Sequence, residues 1–168
     1  MKNKKGPGLL WWTLAVAALA AALGYYFFNL PQPPSVTVYF LKGEKLQAVV
    51  RPLGEGEDPA KAAARELMRG PSFKETNSGI FSEIPRKAKV LNISKENGIL
   101  AVDFNRELAR YGGGSARAQG LIAQIVYTFT EIPGASKVRI LVEGKGEVVL
   151  GGEGLVIDKP LSREDVKF

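Results

Sequence analysis

The chain contains no cysteine and no histidine. These two absences exclude disulfides, lipid attachment through a cysteine, thiol nucleophiles, thiolate zinc sites, Ser-His-Asp and Cys-His catalysis, and histidine-ligated haem or copper. A metal ion would need oxygen ligands. A large charge excess is also missing. The net charge is +6 over 168 residues, and Lys2, Lys4 and Lys5 carry half of it in a first stretch of thirty residues that holds no acid. The remainder has 23 − 3 = 20 bases against 17 acids, or +3, without the clustering a nucleic-acid-binding face requires. Nucleic acid is therefore not an expected partner.

Long apolar runs are absent except for one. Leu9–Phe28 reads LLWWTLAVAALAAALGYYFF and carries no charge. Twenty residues of helix reach about 30 Å, the thickness of a hydrocarbon core. Trp11 and Trp12 sit at one end and Tyr25 and Tyr26 at the other, as interfacial aromatics do. The expectation is a cytoplasmic tail over 1–8, a transmembrane anchor over 9–30 and a Pro-rich linker over 31–35. The flanking lysines would hold the N-terminus in the cytoplasm, with the rest outside the cell membrane as a single-pass protein. A cleaved leader is the rival reading, because Ala18-Leu19-Ala20 and Ala20-Ala21-Ala22 resemble small-residue cleavage sites.

From Val36 onward the pattern is that of one outer domain, 36–168. Val36–Phe40 and Leu46–Leu53 read as strands around a Lys42–Lys45 turn, with Pro52 restricting the second to an edge. Asp58-Pro59 is a helix start, and Ala60, Ala63, Ala64, Leu67 and Met68 follow helical spacing until Gly70-Pro71. Residues 72–87 read as a polar loop with one short helical turn. Ala88–Ser94 and Ile99–Phe104 predict a hairpin around Asn97-Gly98. Ser115 is the expected cap of a second helix with an apolar face of Ala118, Ile122, Ile125, Phe129 and Ile132. Val138–Val142 and Glu147–Leu150 read as final strands. The predicted fold is α+β: a small mixed sheet with two helices packed on one face, containing an α-β-β-α-β core and preceded by the transmembrane helix.

Candidate chemistry is sparse. Asp103 lies at the end of an apolar strand, on the face opposite Leu100, Val102 and Phe104, where a turn-capping role suffices. No serine has lysine three residues later, so the local Ser-Lys signature is missing. Gly112–Gly114 and Gly151–Gly154 lack the spacing of phosphate-binding loops and read as permissive connections. Gln124, Tyr127 and Thr128 are polar positions beside the apolar stripe of the second helix. The expectation is a chain without catalytic residues, metal or cofactor, whose helix faces and sheet edges are its working surfaces.

Several segments carry a resemblance to a known family. They are Val36–Phe40, Asp58-Pro59-Ala60 with Leu67–Pro71, Val102–Leu108 including Asp103 and Phe104, Gln124–Gly134, Val138–Gly144 and Gly151–Gly154. Together they resemble the GerMN domain of the GerM (sporulation and spore germination) family, over 36–168. The resemblance implies a fold similar to ring-building motifs. It also implies a role in assembling envelope or sporulation complexes, with no catalytic residues. Asp103, Phe104, Gln124, Tyr127, Thr128, Gly134, Gly151 and Gly152 are the family-motif residues, mainly structural. The expected partners are other envelope or sporulation proteins and the membrane, with the oligomeric state open. An alternative is an accessory module on peptidoglycan, for which Tyr39, Phe73, Phe81 and above all Tyr111 are the candidate glycan contacts.

Overall fold

The computed structural model describes residues 8–28, 33–110, 114–150, 154–166 and 168. The chain divides into two compact units, residues 1–33 and 34–168.

The first unit holds one helix, α1 (Gly8–Phe28). Here the expectation of a transmembrane anchor is corrected. Among the described residues no helix is long and apolar enough to cross a membrane. The aliphatic stretch of α1, Thr13–Gly24, is only about 18 Å long, well short of a hydrocarbon core of roughly 30 Å. The expectation counted the indoles of Trp11 and Trp12 and the phenols of Tyr25 and Tyr26 as spanning length. The single-pass arrangement built on that anchor loses its basis. The expected tail over 1–8 lies outside the described residues except for Gly8; of the expected linker over 31–35, residues 31 and 32 lie outside them and Ser35 already begins a strand.

The second unit is α+β. Strands β1 (Ser35–Lys42) and β2 (Lys45–Pro52) form an antiparallel hairpin, joined on the other side of β1 by the two-residue β3 (Ile80–Phe81). A mixed sheet follows, in the order β4 (Val90–Glu96), β5 (Ile99–Phe104), β6 (Lys137–Val142). β4 and β5 are antiparallel, and β5 and β6 are parallel. A parallel pair needs a crossover, and helix α4 (Ser115–Phe129) supplies it. A small antiparallel pair, β7 (Val148–Leu150) and β8 (Leu155–Ile157), completes the strands. Helices α2 (Pro59–Arg69) and α3 (Phe73–Asn77) lie between β2 and β3.

The anticipated single sheet is thus divided among three. The α-β-β-α-β order survives as α2-β4-β5-α4-β6, and both α2 and α4 also pack against β1. The stretch read as a polar loop with one short helical turn, 72–87, contains that turn as α3 and, beyond the expectation, the short strand β3. Ser72 and Glu75 form a reciprocal capping box around the start of α3.

Local rules explain the elements. The Asp58 side chain accepts from the Lys61 N–H at 2.9 Å, with Pro59 in the first turn of α2. Asn97 and Gly98 adopt φ of +50° and +76°, the left-handed pair that a two-residue hairpin turn demands. β5 alternates as its sequence predicts: Leu100, Val102 and Phe104 are buried. They meet Val138 and Ile140 of β6, the alanines and Leu67 of α2, and Leu121, Ile125 and Phe129 of α4 in one core. At α4 the cap differs from expectation. Gly114 occupies the capping position and Ser115 is the first helical residue.

Candidate functional site

Helix α4 buries more than an apolar stripe, because Gln124 and Thr128 are fully enclosed. A buried amide must find partners for its donors and its acceptor. Gln124 Oε1 accepts from the Glu83 N–H at 2.8 Å, and Nε2 donates to Ser82 Oγ at 3.1 Å and to the Tyr39 carbonyl at 3.3 Å. Thr128 Oγ1 accepts from the Tyr39 N–H at 2.9 Å. Both backbone groups of Tyr39 are therefore satisfied by side chains of α4. β3 pairs with β1 only at Leu41 and Lys42, so α4 seals the part of that edge which β3 leaves uncovered. Gln124 thereby joins β1, the segment after β3 and α4.

One turn further along lies a polar-aromatic cluster. The Tyr39 and Tyr127 rings meet edge to face, with centroids 5.5 Å apart and planes at 62°. The Arg163 guanidinium lies 4.9 Å from the Tyr127 centroid and 5.7 Å from that of Tyr39. Its Nε donates to Thr130 Oγ1 at 2.8 Å, and an Nη donates to the Tyr127 carbonyl at 3.1 Å and to Glu131. The Tyr39 hydroxyl donates to Glu131 Oε1 at 2.7 Å. The Arg163 hydrogen bond holds the Glu131 carboxyl below its ordinary range. Burial, then Glu131, pushes the Tyr39 phenol up. Neither shift points to a proton donor or acceptor poised near neutrality. The cluster fastens the C-terminal segment, which also bridges to β6 through Val138 and Leu161.

A second polar group gathers around the C-terminal half of α2. Arg51 of β2 binds Glu75 of α3 through two bonds of 2.7 and 2.6 Å, a bidentate pair. That bond holds the Glu75 carboxyl at about 2 and raises Arg51. Buried Glu66 lies near Arg51 at 3.6 Å, Arg65 at 3.1 Å and Arg69 at 3.4 Å. Arg65 also pairs with Glu57. Every acid in this group is opposed by a guanidinium, which leaves no free general base there.

The family-motif residues do not converge on one site. Asp103 Oδ1 accepts from the Gly144 N–H at 2.9 Å and holds the turn after β6, where Glu143 has φ +50°. Phe104 is buried in the core. Gly134 has φ +73°, and the Pro133 carbonyl beside it accepts from Lys95 Nζ at 2.6 Å. Only Gln124, Tyr127 and Thr128 come together, around Tyr39. Gly151, Gly152 and Tyr111 lie outside the described residues. Of the other proposed glycan contacts, Tyr39 is engaged in the cluster, Phe81 is partly exposed, and Phe73 is 81% exposed on α3. Among the described residues, no group of three or more Asp or Glu side chains could hold a metal.

Arg163, Glu131, Ser82 and Glu83 were not singled out from sequence. Arg163 follows a tail without hydrophobic period, and its partners lie more than thirty residues away. The Ser72-x-x-Glu75 capping box, by contrast, was available as a local signal.

Comparison with known proteins agrees with this geometry. The family model described as "Germane: Sporulation and spore germination" matches residues 37–148. Spore germination protein GerM of Bacillus subtilis is 29% identical over 138 residues, covering 76% of this chain and 36% of its own length. The chain therefore spans about a third of that curated relative. The solved tandem GerMN domains of the sporulation protein GerM from Bacillus subtilis superpose with a TM-score of 0.62 at 28% identity. They cover 77% of this chain, which matches 45% of theirs. The first GerMN domain of the same protein, solved alone, gives a TM-score of 0.62 at 23% identity, covering 79% of this chain and 99% of its own, and supports the fold.

Proposed function

Because this chain belongs to the Germane family (sporulation and spore germination), we propose that residues 36–168 form an extracytoplasmic assembly domain of the cell envelope, acting in sporulation or spore germination without chemistry of its own. One observation carries this reading. The polar residues of the family pattern bond within the chain, Gln124 and Thr128 to β1 and Asp103 to the turn after β6. Meanwhile the outer strands β2 and β4 leave most of their side chains exposed. Residues held this way build the fold, and the surface left for work is a set of strand edges and helix faces.

The short aliphatic stretch of α1 behind three lysines has the dimensions of the apolar region of an export leader. Export would bring the domain to the envelope. The mass of the mature protein tests this part: cleavage after Ala20 or Ala22 fits, and an intact chain in the cytoplasm contradicts it.

Lysine-reactive crosslinking in the native cell, followed by mass spectrometry, tests the assembly role. The expected result is crosslinks to envelope proteins under sporulating conditions. Their absence in both sporulating and vegetative cells contradicts it.

A second reading, an accessory module on peptidoglycan, has one observation in its favour: the 81% exposed ring of Phe73. Sedimentation with purified wall material separates the two. Retention that is lost in Phe73→Ala or Tyr111→Ala favours the second reading.

A further inference from the structure

β4 is an outer strand of the β4-β5-β6 sheet. In an antiparallel pair, backbone groups alternate between facing the partner and facing away. The two-residue turn Asn97-Gly98 makes Glu96 and Ile99 the bonded closing pair. Counting back from it, Ile93 and Lys95 direct their N–H and C=O groups away from β5. Among the described residues no backbone group pairs with them there.

This edge does not face open solvent alone. A groove of about 680 Å³ runs between it and α2, with Ala64, Met68, Val90, Leu91 and Ile93 as its apolar lining and Lys61 and Lys89 adding positive charge, while Arg65 on the same wall is paired with Glu57 and Glu66. A second depression continues past Lys61 and Ile93 to Lys95. Lys61 and Lys89 have no carboxylate partner among the described residues.

We propose that this groove binds an extended, acidic segment of a partner protein, which adds to β4 as a further strand. The unpaired groups of Ile93 and Lys95 supply the main-chain bonds of such an addition. Ala64, Met68 and Ile93 receive the apolar side chains that face α2, and Lys61 and Lys89, on the walls of the same groove, select for acids flanking them. Lys89 and Lys95 also place like charges along the edge that a second copy of this chain would have to approach. Edge lysines commonly block self-pairing in this manner. The proposal rests on the assembly reading above and names the surface and the chemistry of the partner.

The test uses the full chain in mild detergent with two synthetic peptides of about ten residues, the upper end of usual strand lengths. One carries glutamates on both sides of a central run of valines, and the other carries lysines in the same places. Fluorescence anisotropy measures binding, and amide hydrogen exchange locates it. The acidic peptide is expected to bind more tightly than the basic one, to weaken as salt rises, and to slow exchange at Ile93 and Lys95. The double variant Lys61→Glu, Lys89→Glu, exposed and remote from the core, is expected to weaken it by about tenfold or more and to favour the basic peptide.

Equal binding of the two peptides overturns the proposal. So does unchanged exchange at Ile93 and Lys95, or slowed exchange there on raising protein concentration without peptide, which would identify a second copy as the occupant. Its failure is separable from that of the assembly reading: crosslinks to envelope proteins that persist in the double variant would retain the reading while rejecting this groove.

Discussion

Replacing Gln124 by leucine tests whether the most specific family segment is structural. Leucine matches glutamine closely in size, keeps helix propensity and adds no charge. The change removes the partner of the Glu83 N–H, of Ser82 Oγ and of one lone pair on the Tyr39 carbonyl. Leaving a buried group unsatisfied costs about 1–3 kcal/mol. Ser82 can rotate its hydroxyl and the Tyr39 carbonyl accepts a long bond, so the Glu83 N–H dominates. Adding smaller terms for the other two gives a loss of about 2–5 kcal/mol, a large part of the stability of a small domain.

Urea denaturation of the full chain measures it, with exposed Gln119→Leu as control. The control should stay within about 0.5 kcal/mol of the parent. Native-state hydrogen exchange at Glu83 should also accelerate in Gln124→Leu. If Gln124→Leu is no more destabilised than Gln119→Leu, then Gln124 does not join β1 to α4, and its place in the family pattern would need a functional explanation.

Three further outcomes follow from named contacts. Glu75 is held at about 2 against an ordinary 4.5, so its contribution is complete above 4.5 and is lost as pH falls toward 2. At about 1.4 kcal/mol per pKa unit the shift, to which the Ser72 contacts also contribute, bounds the effect at roughly 3 kcal/mol, and solvent screening makes it smaller. The stability gap between the parent and Glu75→Gln should therefore be largest near neutrality and close in acid, as read by urea titration at several pH values. Arg163→Ala should lose about 1–3 kcal/mol and raise exchange at Leu161, while Arg163→Lys should recover little because ammonium lacks the planar fork that stacks on Tyr127. Gly134→Ala should cost about 1 kcal/mol or more in thermal unfolding, because φ +73° disfavours a side chain.

What was legible in the sequence was local. Asp58-Pro59 and Asn97-Gly98 specify their own backbone within four residues, and each forms the element it predicts. The alternation of β5 works for the same reason, since period two needs no knowledge of neighbours. The helix stripe of α4 was legible in its apolar members. Gln124 and Thr128 were visible as polar intrusions, but their partners lie 41 to 89 residues away and no spacing rule reaches so far. The division into separate sheets follows from the same contacts, because α4 side chains cover an edge that a strand would otherwise extend. The extent of α1 is legible in its apolar run, but its capacity to cross a membrane is not, because aromatic ends add length without hydrocarbon. Arg163 was invisible because its value depends on two tyrosines meeting in space.

Site-specific photo-crosslinking in sporulating cells tests the central claim most directly, with a benzophenone side chain placed in turn at exposed Val50 of β2, at exposed Ser94 of β4 and at exposed Lys159 as reference. An assembly domain working through its strand edges predicts discrete envelope-protein adducts at Val50 or Ser94 and few at Lys159. Adducts equally sparse at all three, in cells where the protein is present, would contradict it.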